Sequence, residues 1–248
     1  MDVKQFFSPV RPMKQDLPYD DVGPLIEMCD VFSRANNVSV YIIDYAQQEF
    51  LHVSSHPLFL SGYTQQEVKE LGYHFYEKVV STEDLKMLLE TNKMGFDFFY
   101  KLPVEERSSQ MRISYSFYLH HLKGGKILVN HKLVPIRFTP DGNLWLAVCF
   151  VSHSPHKEAS HVTFTTNEEQ EYYKYDFEKH KIIKYTPENL SEREIEILNL
   201  TMRGYEESQI AERLHISPFT IKSHRRKIIK KLGVNNLSNA VAMFYSKL

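Results

Sequence analysis

The chain has 248 residues, which is more than one average domain needs and suits two domains of ~100–150 residues. Hydrophobic residues make up 42% of it and aromatic residues 13%, which excludes a mainly disordered chain. Its 30 Lys and Arg nearly balance its 31 Asp and Glu, so any basic surface for an anionic partner must be local. The sequence has no signal-peptide pattern and no apolar stretch of about 18 residues, which predicts a cytoplasmic protein without membrane contact.

Cysteine and histidine usage gives no sign of a metal site or a disulfide. Cys29 and Cys149 have no Cys or His partners at zinc-like spacing, so we expect two free, packed thiols. His120, His121 and His131 do not form a metal set, because neighbouring strand residues point to opposite faces and no carboxylate completes the set. We expect no metal and no cofactor. Without a convergent catalytic set we also expect no enzyme activity.

The N-terminal part begins with residues 1–20, which hold three prolines and no sustained hydrophobic period and are predicted to be a tail. A helix is predicted over residues 21–36, because apolar residues then recur at helical spacing and Pro24 suits a first turn. Two β-rich runs follow, Val38–Tyr45 and Phe50–Ser54. The polar residues between them favour a hairpin.

Helix signals come next, and then strand signals dominate. A short helical region at Pro57–Gly62 precedes a capping box formed by Thr64 and Glu67 and a similar start signal at Ser81. Three further strands are separated by glycine-containing turns, which predicts an antiparallel meander. The three strands are Arg112–Leu122, Lys126–Thr139 and Leu144–Ser152.

This order of elements predicts a five-stranded antiparallel sheet with helices on one face. The motif GYTQQEVKELG at Gly62–Gly72 and the helix start at Ser81–Leu85 resemble the PAS family. The resemblance covers about Val22–Pro155 and implies a sensory domain over residues 21–155. It implies a small-molecule or protein signal, although a fold alone assigns no ligand.

From residue 156 to 187 the composition becomes polar and charged, which predicts a linker to a C-terminal domain over residues 188–248. Glu171–Tyr175 and Lys181–Tyr185 could pair as one extra hairpin whose tyrosines pack on a neighbour or a partner. A solvated connecting ribbon is the favoured interpretation of the segment.

The C-terminal part carries the clearest functional signals. Ser191 and Glu194 form a capping box that opens one helix, Gly204 ends it, and a short second helix follows. A third helix is predicted over Pro218–Leu232, with Ser217 as its cap. Two helices across a tight turn predict a helix-turn-helix, and a fourth helix follows.

The third helix has an apolar stripe and a basic face. Six Lys or Arg and no acidic residue occur between Ser217 and Leu232, although the whole chain is nearly neutral. The apolar stripe is formed by Ile221, Ile228 and Leu232. A helix of this width fits the major groove of DNA.

Side chains on the basic face suit contacts with DNA. Lys222 and Arg226 can donate to guanine, while Lys227 and Lys230 can reach phosphates. Phe219 lies on the same arc, where a thymine methyl or a sugar would cover its ring.

The stretches LSEREIEIL, QIAERLHIS and TIKSHRRKIIKKLGV, at Leu190–Leu198, Gln209–Ser217 and Thr220–Val234, resemble the LuxR-type DNA-binding domain. The resemblance implies four helices, of which the third reads DNA and the last pairs two subunits on a two-fold-symmetric site. The residues at the family's base-reading positions are Lys222, Ser223 and Arg226. Those at its backbone-contacting positions are Thr220, Lys227 and Lys230.

Two places depart from the family pattern. Glu206 and Glu207 stand where a capping Ser or Thr and phosphate-contacting residues are usual, and acidic groups that faced DNA would repel it. His215 stands where Gly is frequent, and His tolerates the left-handed conformation better than most residues do.

Together these features predict a bacterial transcription regulator of the α+β class that acts as a homodimer. A PAS-like sensor would control a helix-turn-helix on double-stranded DNA and so influence the transcription machinery. One alternative is a protein-interaction adaptor that uses the PAS-like domain and binds DNA weakly. Another is an acyl-homoserine-lactone receptor, but the Trp, Tyr and Asp arrangement of that family is not found, and the only tryptophan is Trp145.

Overall fold

The computed structural model describes residues 3–11, 17–108, 110–166, 172–185, 189–234 and 236–245. The chain divides into two compact units, of which the first ends at Lys184 and the second begins at Tyr185. Helices and strands mix in the first unit and the second is helical, so the predicted α+β class is confirmed. None of the helices in the described ranges is both long and apolar enough to cross a membrane.

Among the described residues of the first unit, one α-helix is followed by two strands, four α-helices and six strands. In chain order its elements are α1 (Val22–Asn36), β1 (Ser39–Asp44), β2 (Glu49–Val53), α2 (Pro57–Leu60), α3 (Gln65–Leu71), α4 (His74–Val79), α5 (Thr82–Lys101), β3 (Arg112–His120), β4 (Lys126–Phe138), β5 (Leu144–His153), β6 (Ser160–Thr165), β7 (Tyr172–Asp176) and β8 (Lys181–Tyr185).

All eight strands belong to one sheet, in the order β2-β1-β5-β4-β3-β6-β7-β8. The first five positions of this order are the predicted PAS-like sheet. Within it β1 and β2 form the expected hairpin, β3 to β5 form the antiparallel meander, and β5 pairs with β1. The sheet therefore has the predicted five strands and three more at the edge formed by β3.

The three extra strands correct the prediction of a linker over residues 156–187. In β6, Val162 and Phe164 are buried and pack with Met94 of α5, while Thr163 between them is only partly buried. Only one face of such an antiparallel strand needs apolar residues, so the segment has a polar overall composition. Strands β7 and β8 occupy the positions of the possible hairpin, apart from Glu171, which lies outside the described residues.

The predicted helix starts in this unit are confirmed. The Thr64 hydroxyl accepts the N–H of Glu67, and the Glu67 carboxylate accepts the N–H of Thr64, which completes the capping box of α3. At the start of α5 the Ser81 hydroxyl accepts the N–H of Asp84. Helix α1 ends at Asn37, whose φ of +52° is left-handed.

Aromatic side chains fill the centre of the space between the sheet and helices α2–α5. The rings of Tyr41 and Phe59 stack with their centroids 4.3 Å apart. The Tyr41 hydroxyl oxygen lies 2.6 Å from that of Tyr76 and 2.6 Å from Nε2 of His131. Burial lowers the pKa of His131 to about 3, so this imidazole is neutral. His131 is therefore a core residue.

The N-terminal segment also enters this core, which corrects the prediction of a tail over residues 1–20. Val3, Phe6 and Phe7 are buried among its aromatic side chains. The side-chain amide of Asn92, in α5, donates to the carbonyl oxygen of Phe6 over 2.7 Å. A segment this short shows no sustained hydrophobic period, so its burial is not visible in the sequence. The burial depends on the space between the sheet and the helices into which the segment packs.

Helix α1 lies on the other face of the sheet, whereas the prediction had the helices on one face. Val40 and Ile42 point from β1 towards α1, and they pack with Cys29 and Trp145. Cys29 and Cys149 are both buried and free, as predicted. Burial raises the pKa of the Cys29 thiol to about 11 and that of Cys149 further, so both thiols stay protonated.

The second unit has four described helices around a core of its own. They are α6 (Glu192–Met202), α7 (Glu207–Arg213), α8 (Pro218–Leu232) and α9 (Leu237–Tyr245). The Ser191 hydroxyl and the Glu194 side chain form the predicted capping box of α6. The four-helix arrangement agrees with the prediction.

Candidate nucleic-acid interface

Helix α8 begins and ends where the sequence predicts. The Ser217 hydroxyl accepts the N–H of Thr220 over 3.1 Å, and Pro218 occupies the first turn, where its missing N–H costs nothing. Gly233 ends the helix with a left-handed φ of +64°. Local chemistry therefore fixes both ends of a 15-residue helix.

The two faces of α8 differ as the helical wheel predicts. The apolar stripe of Ile221, Ile228 and Leu232 is buried in the core of the unit. Four cationic side chains on the opposite face are exposed, and Ser223 beside them is half-buried. The exposed cations are Lys222, Arg226, Lys227 and Lys230.

The other two basic residues of α8 are held inside the unit. The Lys231 Nζ atom lies 2.9 Å from a Glu194 carboxylate oxygen, and the Arg225 Nη1 atom lies 3.4 Å from one of Glu207. Within the ranges that the structure describes, no ion pair takes up the four exposed cations. Their charge is available to an external anion.

Phe219 interrupts this basic face with an apolar ring. It is 79% exposed, more than any other large hydrophobic side chain in the described part of the chain. Nearby, the Thr220 hydroxyl oxygen lies 2.8 Å from that of Ser217, so these two hydroxyls pair at the start of the helix. An exposed aromatic ring in the first turn of a basic helix suits an apolar partner such as a thymine methyl.

The acidic turn before α7 is compensated within the unit. The N–H of Glu206 donates to the side-chain oxygen of Gln209 over 2.9 Å, which supports the start of α7. Glu207 pairs with Arg225 of α8. The sequence does not single out Arg225 from the other basic residues of the helix. The acidic residue in this turn was the signal that a basic partner was needed.

The tight turn between α7 and α8 uses a left-handed residue. His215 has a φ of +53°, in agreement with its expected tolerance of this conformation. The Arg193 guanidinium, in α6, donates to the carbonyl oxygen of Leu214 over 2.6 Å. This contact holds the turn against α6 and so orients α8.

Helix α9 is the last described helix of the unit and packs on its core. Ala240 is buried in the core, and the other described members of its apolar stripe pack against the same cluster. The sequence predicts an apolar stripe at helical spacing along this helix, formed by Leu237, Ala240, Val241, Phe244 and Leu248, of which Leu248 lies outside the described residues. The stripe thus serves the core of the unit, and a part in subunit pairing stays a prediction.

No group of three or more His, Cys, Asp or Glu suited to a metal ion occurs among the residues described.

Two helices joined by a tight turn, with a basic and exposed second helix, define the helix-turn-helix class of DNA-binding domains. Residues 188–244 match the family model described as bacterial regulatory proteins, luxR family. They form a helix-turn-helix domain of the LuxR family.

Curated relatives are similar in sequence to this chain over the same region. The chain is 39% identical over 59 residues to the response regulator protein TodT of Pseudomonas putida, covering 24% of this chain and 26% of TodT. It is 45% identical over 47 residues to the oxygen regulatory protein NreC of Staphylococcus aureus, covering 19% and 22%. The match thus spans about a quarter of the length of these relatives.

Solved structures with a broader match are more distant. A phage VqmA in complex with DPO covers 91% of this chain and 87% of that chain, at 16% identity and a TM-score of 0.29. The PAS domain of a protein from Colwellia psychrerythraea covers 54% and 98%, at 12% identity and a TM-score of 0.35. The PAS-like description of the first unit rests on its strand order.

Proposed function

We propose that this chain is a bacterial, sequence-specific transcription regulator that binds double-stranded DNA through α8. It acts as a homodimer in the cytoplasm and influences the transcription machinery without catalysing a reaction. The PAS-like unit is its sensor for a small-molecule or protein signal. The observation that carries this proposal is the exposed face of α8, where four cations without ion pairs in the described residues surround an exposed phenylalanine.

The side chains of α8 make two kinds of contact with DNA. The exposed Lys222 and Arg226 and the half-buried Ser223 contact base edges in the major groove. Further contacts, which fix the position of the helix without reading bases, come from Ser217, Phe219, Thr220, Lys227 and Lys230.

Dimerisation follows from the geometry of a two-fold DNA site. One α8 reads only a few base pairs, so two copies must bind half-sites about one helical turn apart. The apolar stripe of α9 is the proposed contact between the two C-terminal units.

The salt dependence of DNA affinity tests the proposal. We expect the full-length protein to bind a duplex selected from a random library, with an affinity that falls steeply as the salt concentration rises, because each phosphate contact releases a counterion. A variant without the four exposed cations of α8 should lose most of this slope. Lys123→Ala, which removes an exposed lysine of the first unit, is the matched control and should leave the slope unchanged.

The same experiment separates the regulator from the protein-interaction adaptor. A regulator binds the selected duplex more tightly than random DNA at the same salt concentration. If the full-length protein shows no salt-dependent binding to any duplex, the regulator proposal is wrong and the adaptor is favoured.

A further inference from the structure

The N-terminal segment, residues 3–11, lies on the first unit as a bound peptide would. Its short helical turn, Val3–Phe6, packs against α4 and α5, and we call the space that it fills the α4–α5 groove. The backbone N–H groups of Phe7, Ser8 and Val10 donate to carbonyl oxygens within the segment itself. Because none of the eight strands described includes the segment, its attachment to the unit depends mainly on side chains.

Four apolar residues of the segment face the groove. Val3, Phe6 and Phe7 are buried, and Val10 packs partly buried against the same core, while the polar residues between them are exposed. These four residues stand at positions i, i+3, i+4 and i+7, over only about two turns. The same spacing of anchors is used when a short amphipathic segment of one protein binds in an apolar groove of another. The segment therefore has the pattern of a recognition peptide.

Tyrosine rings line the α4–α5 groove. The centroid of the Phe7 ring lies 4.4 Å from that of Tyr73 and 6.3 Å from that of Tyr45. The centroid of the Phe6 ring lies 5.3 Å from that of Tyr73 and 5.5 Å from that of Tyr76. Aromatic pairs in such tilted and edge-on arrangements are more favourable than their buried area alone provides. The groove therefore favours a segment with two adjacent aromatic residues.

Two polar side chains of α5 bind the backbone of the segment. The side-chain amide of Asn92 donates to the carbonyl oxygen of Phe6 over 2.7 Å. About two turns further along α5, the Tyr100 hydroxyl accepts the N–H of Arg11 over 3.3 Å, and the Arg11 guanidinium lies 4.1 Å from the centre of the Tyr100 ring. These contacts fix the direction in which a peptide lies in the groove.

We propose that the α4–α5 groove recognises a short amphipathic segment of a partner protein, and that residues 3–11 fill it as an exchangeable plug. The partner segment carries two adjacent aromatic residues and an aliphatic residue on either side, at the spacing of Val3, Phe6, Phe7 and Val10. When it binds, the plug leaves the groove while the sheet and helices stay folded. Only the description of this partner as the signal of a regulator rests on the proposed function.

A fluorescein-labelled peptide with the sequence of residues 3–11 is the probe for the groove. The full-length protein should bind it weakly, because the tethered plug competes at an effective concentration on the order of millimolar. Phe6→Ala in the protein weakens the plug and should tighten the binding of the unchanged peptide roughly tenfold or more, because the groove is then open in a larger fraction of molecules. Gln5→Ala, which changes an exposed residue of the plug, is the matched control and should leave the binding weak.

Variants of the peptide test the anchors. A peptide in which Phe6 and Phe7 are both replaced by alanine should not bind the Phe6→Ala protein. A peptide in which only Gln5 is replaced by alanine should bind it as the unchanged peptide does. Fluorescence anisotropy titrations measure all of these affinities.

Thiol labelling measures the exchange of the plug without weakening it. Val3 is 1% exposed, so the thiol of a Val3→Cys variant reacts with a maleimide only when the plug leaves the groove. The native thiol of Cys149, buried in the core, reports unfolding of the whole unit in the same molecule. We expect the thiol of Val3→Cys to react faster than Cys149. Unlabelled peptide should accelerate the reaction at position 3 alone, because it occupies the groove and keeps the plug out.

The proposal is overturned if the peptide does not bind the folded Phe6→Ala protein, or if it does not accelerate the labelling of Val3→Cys. Should circular dichroism show that Phe6→Ala does not fold, the labelling experiment decides alone. DNA affinity measured on the same samples separates the two proposals. Intact salt-dependent DNA binding without peptide exchange would overturn the groove and leave the regulator standing, and peptide exchange without DNA binding would do the reverse.

Discussion

The Nζ atom of Lys231, near the end of α8, lies 2.9 Å from a carboxylate oxygen of Glu194, in the first turn of α6. The same oxygen accepts the backbone N–H of Ser191 over 2.8 Å, and Lys231 also donates to the carbonyl oxygen of Asn189. Glu194 is only 3% exposed. One buried carboxylate therefore joins the start of α6, the first helix of the domain, to the end of α8.

This contact makes the stability of the second unit depend on pH. Burial alone would raise the pKa of Glu194, but hydrogen bonds from Lys231 and Ser191 outweigh it and hold the pKa below its ordinary value of 4.5. A depressed pKa in the folded state stabilises the fold above pH 4.5, and this stability is lost as the pH falls below that value. The protection factors of α6 and α8 amides, which correct hydrogen exchange for its intrinsic pH dependence, should therefore fall below this pH.

Lys231→Met tests the same pair at neutral pH. We expect the free energy of unfolding of the second unit to fall by roughly 1.5–3 kcal/mol, because a hydrogen bond between charged groups is lost and a buried carboxylate remains. Lys227→Met, which alters an exposed lysine of the same helix, is the control and should change little. An unchanged acid response in Lys231→Met would contradict the assigned cause.

Arg226 and Lys230 should differ in their effects on DNA binding. Arg226→Ala should reduce the discrimination between the selected duplex and random DNA by ~1–3 kcal/mol, because it removes a contact to bases. Lys230→Ala should weaken binding to both duplexes alike and reduce the salt slope by about 1. Fluorescence anisotropy titrations measure both effects. Equal losses on the two duplexes for Arg226→Ala would rule out base reading by this residue.

Phe219 should matter for binding but not for folding. Phe219→Ala removes a ring that is 79% exposed, so the melting temperature should hardly change while DNA affinity falls. Ile221→Ala, two residues further on, removes a buried side chain and should cost ~2–5 kcal/mol of stability. Thermal unfolding and DNA titration of both variants make the comparison. Unchanged DNA affinity in Phe219→Ala would show that the ring does not contact DNA.

The N-terminal segment should behave as part of the core. Phe6→Ala should lower the free energy of unfolding of the first unit by ~3–5 kcal/mol, because a buried aromatic ring is lost. Gln5→Ala changes an exposed neighbour and is the control. Urea unfolding of the full-length protein measures the difference. Equal stability of the two variants would mean that the segment does not contribute to the core.

Much of the candidate site could be predicted from the sequence because its signals are local. A hydroxyl at Ser217, a ring at Pro218 and a glycine at Gly233 determine where α8 begins and ends through atoms only a few residues apart. The helical period then places apolar and basic residues on opposite faces. The same reasoning predicted the helix starts at Thr64 and Ser81.

The sequence by itself therefore determined the starts of α3, α5, α6 and α8, the five strands of the PAS-like sheet and the two faces of α8. Only the tertiary structure decided that Phe6 fills the core, that β6 to β8 extend the sheet, and that Glu207 is neutralised by Arg225. The physical reason is that these features depend on residues far apart in the chain, whose proximity follows from packing and not from any local pattern.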